Sequence, residues 1–169
     1  MSKKLQYCCC KSKRFTHRRV FFFLDFSFAA DDEATLYVDG VEAGTTSAPL
    51  TLTTVRVSTS ACLLAVHVRD VHLPNHGFLA SASNGLLSSS SWRCTSYEDA
   101  DWFLPTYNDF HWLRAEALSM NDESSQYGPI TGINTQAQWI WSAETTNPLD
   151  AFCRLDLCQS CDTDRKSVV

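Results

Sequence analysis

The stretch Phe26–Gly40, F-S-F-A-A-D-D-E-A-T-L-Y-V-D-G, constrains the fold more than any other part of the chain. Phe26, Phe28, Leu36 and Val38 recur at alternate positions, with Ser27, Tyr37 and Asp39 on the opposite parity. Successive side chains of an extended strand point to opposite sides, so this period describes strands with one buried face. Asp39-Gly40 then supplies a pair that accepts the positive φ values of a tight hairpin. Between the apolar runs stand Asp31, Asp32 and Glu33, adjacent carboxylates that must be solvated, hydrogen-bonded or matched by a cation. The expected order is strand, acidic bend, strand, hairpin.

The same period returns downstream. In Ala61–Val71, Leu64, Val66 and Val68 face one way and Ala65, His67 and Arg69 the other, which predicts a central strand. Thr51–Ser58 is rich in Thr and Val and reads as a strand whose inward face is ambiguous. Phe78–Ser83 reads as a strand closed by the Asn84-Gly85 turn. Ala137–Ser142 and Ala151–Leu157 read as the last strands, with Trp139 and Trp141 on one buried face and Phe152, Arg154 and Asp156 alternating with Cys153, Leu155 and Leu157. Tyr97–Ala117 holds no period; its aromatic and acidic residues predict an ordered loop anchored by its rings. No long amphipathic helix stands out, and short strands separated by turns predict an all-β fold, a jelly-roll β-sandwich of two antiparallel sheets.

Charge and length narrow the function classes. The 169-residue chain carries a net charge of −5, but residues 1–19 hold seven Lys/Arg and no acid. Residues 20–169 therefore carry 7 basic and 19 acidic groups, 7 − 19 = −12, which repels a phosphate backbone and argues against nucleic-acid binding. The longest apolar run, Val20–Ala30, contains Asp25 and falls well short of the about 20 residues a membrane-spanning helix needs. The expected organisation is a basic, Cys-rich arm over 1–19, a sandwich over 20–158 and a tail over 159–169. The arm and the following apolar run resemble a secretory signal, yet cleavage after Ala30 would remove Phe26 and Phe28 from a well-patterned strand. The strand is preferred, and the arm is expected to be disordered, with palmitoylation of Cys8–Cys10 beside basic residues as an alternative.

Eight cysteines leave the pairing open; Cys62, Cys94, Cys153, Cys158 and Cys161 lie outside the arm. Disulfides and an extracellular location are the expectation, without an Asn-x-Ser/Thr acceptor to support secretion separately. Cys158-Gln-Ser-Cys161 is a lone CxxC without the second ligand pair of a zinc site or the strand–helix setting of a thioredoxin motif.

The order of motifs carries a family resemblance. A-D-D-E-A-T-L-Y-V-D-G, L-L-A-V-H-V-R-D with G-F-L-A, S-S-W-R-C, Y-N-D-F-H-W-L-R-A, A-Q-W-I-W-S and F-C-R-L together resemble the galactose-binding-domain-like jelly roll over about residues 22–157. The resemblance implies a lectin-like or accessory module that binds sugars, calcium or proteins through loops at one end, or braces a neighbouring domain. It also implies that Trp112 plugs the core while Asp109 caps its turn. Such domains begin with a strand before the Phe26 element, and its lack here would leave a sheet edge and a core flank open.

Trp102 and Tyr107, with Asp99, Asp101, Asn108 and Asp109, combine flat rings for a sugar's C–H face with planar polar groups for its hydroxyls. They are the expected site for glycans or glycoproteins; the alternative is a structural or adhesion sandwich in which Trp102 and Tyr107 are buried against the fold or a partner domain. Asp31, Asp32 and Glu33 are the candidate Ca²⁺ ligands, with Asp150 or Asp156 as further donors, although adjacent strand residues diverge. His67, His72 and His76 form a weaker metal candidate, split between a strand and a loop. No nucleophile elbow, phosphate loop, zinc-protease or dinucleotide motif is present, and the chain reads as non-enzymatic.

Overall fold

The computed structural model describes residues 22–72, 75–144, 147 and 149–157. The basic arm, the Cys158–Cys161 motif and the tail lie outside the described residues. The described residues form eleven strands: β1 (Phe23–Ala30), β2 (Glu33–Val38), β3 (Val41–Thr46), β4 (Thr53–Ser58), β5 (Leu63–Arg69), β6 (Phe78–Ala82), β7 (Arg93–Thr95), β8 (Leu113–Arg114), β9 (Glu116–Met120), β10 (Gln138–Trp141) and β11 (Asp150–Asp156). They form a five-stranded sheet, β4-β1-β6-β10-β9, and a six-stranded sheet, β3-β2-β5-β11-β7-β8. All pairings are antiparallel, and the chain passes repeatedly between the sheets, giving the expected jelly-roll sandwich.

The core lies where the alternation places it. Phe26 and Phe28 of β1, Leu36 of β2, Leu64, Val66 and Val68 of β5, Phe78 of β6 and Ala151, Cys153 and Leu155 of β11 form one buried cluster between the sheets. Val57 of β4 is buried with them and Val55 packs alongside, which settles the inward face of that strand. Each large side chain so buried contributes about 1.5–3 kcal/mol. The hairpin between β2 and β3 turns on Asp39 (φ 51°) and Gly40 (φ 87°), the conformation a two-residue type I′ turn requires. The Asp39 carboxylate accepts hydrogen bonds from the backbone N–H of Cys62 and Leu63 at 2.8 and 2.9 Å, so the hairpin tip also fixes the start of β5.

Three features depart from the sequence reading. Strands β7, β8 and β9 have no alternation long enough to announce them, and β8 begins inside the expected loop. Trp139 and Trp141 do not share a cluster: the β9–β10 register shifts between Trp139 and Ile140, and Ile140 and Trp141 enter the central core while Trp139 packs outside it. Both outer faces are partly covered. Residues 127–137 bring Tyr127, Ile133 and Ala137 onto Ala29, Leu79 and Trp139 outside the five-stranded sheet. Residues 102–112 bring Trp102 and Trp112 onto Leu63, Ala65 and Phe152 outside the six-stranded sheet.

Near the start of β1 the core is not fully closed. A cavity of about 240 Å³ is lined by Leu24, Phe26, Val57, Ala61, Leu64 and Leu157 among others. β1 itself is an interior strand between β4 and β6, so the open flank is at an end of the core rather than along β1.

Cys94 and Cys153 form a disulfide between directly paired residues of β7 and β11. It ties the short β7, three residues long, to the seven-residue β11 across a sequence separation of 59. A cross-link closing a loop of this size restricts the unfolded chain strongly. Replacing both cysteines by alanine should lower unfolding free energy by about 2–5 kcal/mol, measured by urea titration against the oxidised wild type; an unchanged midpoint would show that β7 is held by packing alone.

Candidate functional site

The segment 97–112 owes its shape to a repeated local motif. Asp99-Ala-Asp-Trp102 and Asp109-Phe-His-Trp112 each close a turn in which the tryptophan N–H donates to the aspartate carbonyl, at 3.3 and 2.9 Å. Two further turns, Leu104 N–H to Asp101 O and Tyr107 N–H to Leu104 O, carry the chain between them. Each turn aims its indole at the sheet. The rings of Trp102 and Trp112 lie 6.3 Å apart, and Trp102 also packs edge-on against Phe152 at 5.1 Å and Tyr37 at 5.7 Å.

Arg154 of β11 holds this segment down. Its alternation with Leu155 places it on the outer face, where it is only 4% exposed beneath the loop. The guanidinium donates to the carbonyls of Trp102, Leu104 and Tyr107 and, through Nε, to the Asp109 carboxylate at 2.9 Å. Its carbon centre also sits 5.3 Å from the Tyr107 ring centroid. A planar cation with five donors is suited to gathering several loop carbonyls at once; a lysine could not reach them together.

This arrangement decides where each expected sugar-site residue stands. Trp102 is 2% exposed and turns no face to solvent. Tyr107 is half-buried and donates its hydroxyl to Asp99, beside which His111 lies at 3.7 Å. Burial and the neighbouring Asp99 carboxylate both hold the Tyr107 hydroxyl protonated, above the ordinary tyrosine range. Asp109 is taken up by Arg154, and Asn108 closes a local turn by accepting from Phe110 N–H at 3.1 Å. Asp101 sits at the loop surface with a positive φ of 61°. The exposed hydrophobic rings of this segment are Tyr97, at 54%, and Phe110, at 80%, both outside the expected site. Sequence reasoning passed over Arg154 because it carried the pattern of a solvent-facing strand residue; the doubled Asp-x-x-Trp was the signal that a covering loop existed.

The three carboxylates of the acidic bend point to separate surroundings. Asp31 accepts from the Tyr127 hydroxyl at 3.3 Å, Asp32 turns inward, and Glu33 points outward on β2. Asp32 accepts from the backbone N–H of Val71 and His72 at 2.6 and 3.0 Å and pairs with the His72 ring at 3.0 Å. His67 pairs with Asp150 at 2.8 Å, and His76 stacks on Trp141 with ring centroids 4.7 Å apart. Among the described residues no group of three or more His, Cys, Asp or Glu is placed to hold a metal ion.

Beside the bend, Asp32 and Asp70 act on one another electrostatically. Asp70 is 2% exposed and keeps one oxygen without a hydrogen-bond partner among the described residues. Burial, with the nearby Asp32 charge, raises its pKa, against the lowering effect of the His72 N–H. Burial alone would also raise Asp32, but the Val71 N–H and the His72 ring outweigh it and hold Asp32 below the usual range. Of the two, Asp32 ionises first as pH rises and Asp70 keeps its proton to higher pH.

Comparison of the chain with protein-family models, characterised proteins and solved structures gave no match. The architecture is therefore established, as an all-β sandwich, by its strands alone.

The pair sets the direction of a pH effect. A folded-state pKa raised above the unfolded value stabilises below the unfolded value, about 3.9, and that contribution is lost as pH rises through the folded value. Asp70 thus weakens the wild type on going from mildly acidic to neutral pH, whereas the Asp32 contribution is lost only at acid pH below the ordinary carboxylate range. Asp70→Asn removes the ionisable carboxyl with little change in size and keeps an acceptor for His72 N–H. It should raise the melting temperature at neutral pH and flatten the wild-type decline above pH about 4; parallel melting curves for the two proteins would refute this assignment. Arg154→Met should cost about 3–5 kcal/mol by leaving loop carbonyls and Asp109 without their donor, with loss of near-UV tryptophan dichroism; Arg154→Lys should restore less than half.

Proposed function

We propose that this chain is a non-catalytic β-sandwich module of structural or adhesion type, extracellular, whose segment 97–112 braces the domain instead of serving as a sugar platform. The observation that carries this reading is the burial of Trp102 and Trp112 beneath a loop fastened by Arg154. A sugar platform needs an aromatic face open to solvent, and a brace needs the reverse. The Cys94–Cys153 disulfide supports an oxidising compartment, where such modules persist. No described helix is long and apolar enough to cross a membrane. The rigid body is suited to carrying its exposed surfaces against a partner domain or chain.

Carbohydrate binding is the second reading, favoured by the polar half of the six-stranded sheet that the loop leaves bare. There Thr35 and His67 stand partly exposed and Glu33 and Arg69 exposed.

The bracing role makes a clear thermodynamic demand. Trp102→Ala should destabilise the fold by about 3–5 kcal/mol, read from denaturant unfolding, and should expose Tyr37 and Phe103 to solvent. If Trp102→Ala leaves stability unchanged and instead abolishes retention on immobilised glycans, the loop is a ligand platform and the bracing reading fails.

A further inference from the structure

Strand register shows what the uncovered half of the six-stranded sheet presents. Glu33 of β2 lies directly across from Arg69 of β5, which lies across from Asp150 of β11. One step along, Thr35, His67 and Phe152 form the next row, and Tyr37, Ala65 and Arg154 the third. The third row is roofed by the loop, where Trp102 packs against Tyr37 and Phe152. Phe152 of the second row lies beneath Trp102 as well, while Glu33 and Arg69 are exposed and Thr35, His67 and Asp150 partly so; the loop edge thus makes a wall above a polar ledge.

The ledge contains one rigidly held flat ring. His67 stacks on Phe152 at 4.5 Å with only 7° between the planes, and its Nε2 is held by Asp150 at 2.8 Å. Phe152 occupies one face of the imidazole, which leaves the other toward β2, where the short side chain of Thr35 stands opposite. The His67 side chain is 32% exposed. Arg69 and Glu33 flank this gap as planar groups able to make paired hydrogen bonds.

We propose that this ledge binds a neutral sugar residue, with a C–H face against the free side of His67 and hydroxyls bonded to Arg69 and Glu33. The charge pattern selects the ligand class. Across Glu33, Arg69 and Asp150 the signs alternate and sum to −1, on a body whose residues 20–169 sum to −12. A sulfated or uronic sugar, or a phosphate, meets net repulsion there, and a metal ion finds no three-ligand group among the described residues. A polyol needs only matched donors and acceptors beside a flat surface. This inference rests on the carbohydrate reading and moves its site from the loop to the sheet.

The test uses the full chain with methyl β-galactoside, methyl β-glucoside, lactose and cellobiose, followed by ¹⁵N-resolved chemical shifts. Binding of at least one probe in the millimolar range is expected, with shifts centred on Thr35, His67 and Arg69. Arg69→Ala and Thr35→Trp, which fills the gap beside the ring, should each weaken it at least about tenfold, while Phe110→Ala on the loop leaves it unchanged. Should Thr35→Trp fail to fold, Arg69→Ala decides. Binding unmoved by Arg69→Ala, or lost instead in Phe110→Ala, overturns the ledge and leaves carbohydrate binding standing elsewhere. Preference for glucuronate or a sulfated galactoside overturns the neutral ligand. No binding by any probe overturns the ledge and the carbohydrate reading together, leaving the bracing role intact.

Discussion

The fold's outer architecture depends on one buried cation. Desolvating a guanidinium is expensive, and the cost is offset only where its donors are matched by well-placed oxygens. Arg154 meets three main-chain carbonyls and the Asp109 carboxylate. That relation works in both directions. A loop without sheet or helix has carbonyls that need donors, and burying the loop's tryptophans would leave them without water. Arg154 supplies those donors from a strand that the central core already fixes through Cys153 and Leu155. The loop can therefore cover Leu63, Ala65 and Phe152, apolar residues on what would otherwise be a wet face.

The opposite polarity governs the bend between β1 and β2. There a carboxylate collects backbone N–H groups: Asp32 receives Val71 and His72 and so ties the end of β5 to the start of β2. Asp39 does the same at the other end of β5, where it receives Cys62 and Leu63. The central strand of the six-stranded sheet is thus bounded by an aspartate at each end. Acidic residues that composition alone presents as surface charge are here the partners of unpaired main-chain donors. A similar economy joins β6 to β10, whose direct pairing is confined to Ile140 and Phe78. Ser88 fills the gap: its hydroxyl accepts from Ala80 N–H at 2.9 Å and donates to Gln138 O at 2.7 Å.

These contacts explain what was legible in the residues and what was not. Two-residue alternation fixed the inward side of β1, β2, β5 and β11 because one face of each meets the opposite sheet, and the Asp39-Gly40 turn was visible because few residue pairs accept its backbone angles. It could not reveal β7 to β9, which are two to five residues long and held by the Cys94–Cys153 bridge, the Ala115-to-Trp92 hydrogen bond and the pairing of β9 with β10. Nor could it show that outward residues are buried, since coverage by a loop some 50 positions away in sequence from Arg154 leaves no mark on the strand itself. The candidate site suffered from this gap. Trp102 and Tyr107 sit in a segment rich in acids, the composition of an exposed binding loop, yet the spacing of Asp99 from Trp102 repeats that of Asp109 from Trp112 and signals two inward-turned rings.

A loop that seals half of a sheet face also defines the other half. Without it, the outer surface of the six-stranded sheet would be a broad plane mixing Leu63, Ala65 and Phe152 with charged residues, a surface prone to nonspecific association. With it, the apolar rows are roofed and the bare rows carry Glu33, Thr35, His67, Arg69 and Asp150. His67 gains a fixed orientation from Phe152, whose own position depends on Trp102 above it. The chain of contacts runs from Arg154 through Trp102 and Phe152 to His67, so the guanidinium that fastens the loop also bears on the ring at the uncovered edge of the sheet. A surface ring on an unsupported strand would rotate freely; here the brace removes that freedom, and its ordering cost is met within the fold itself.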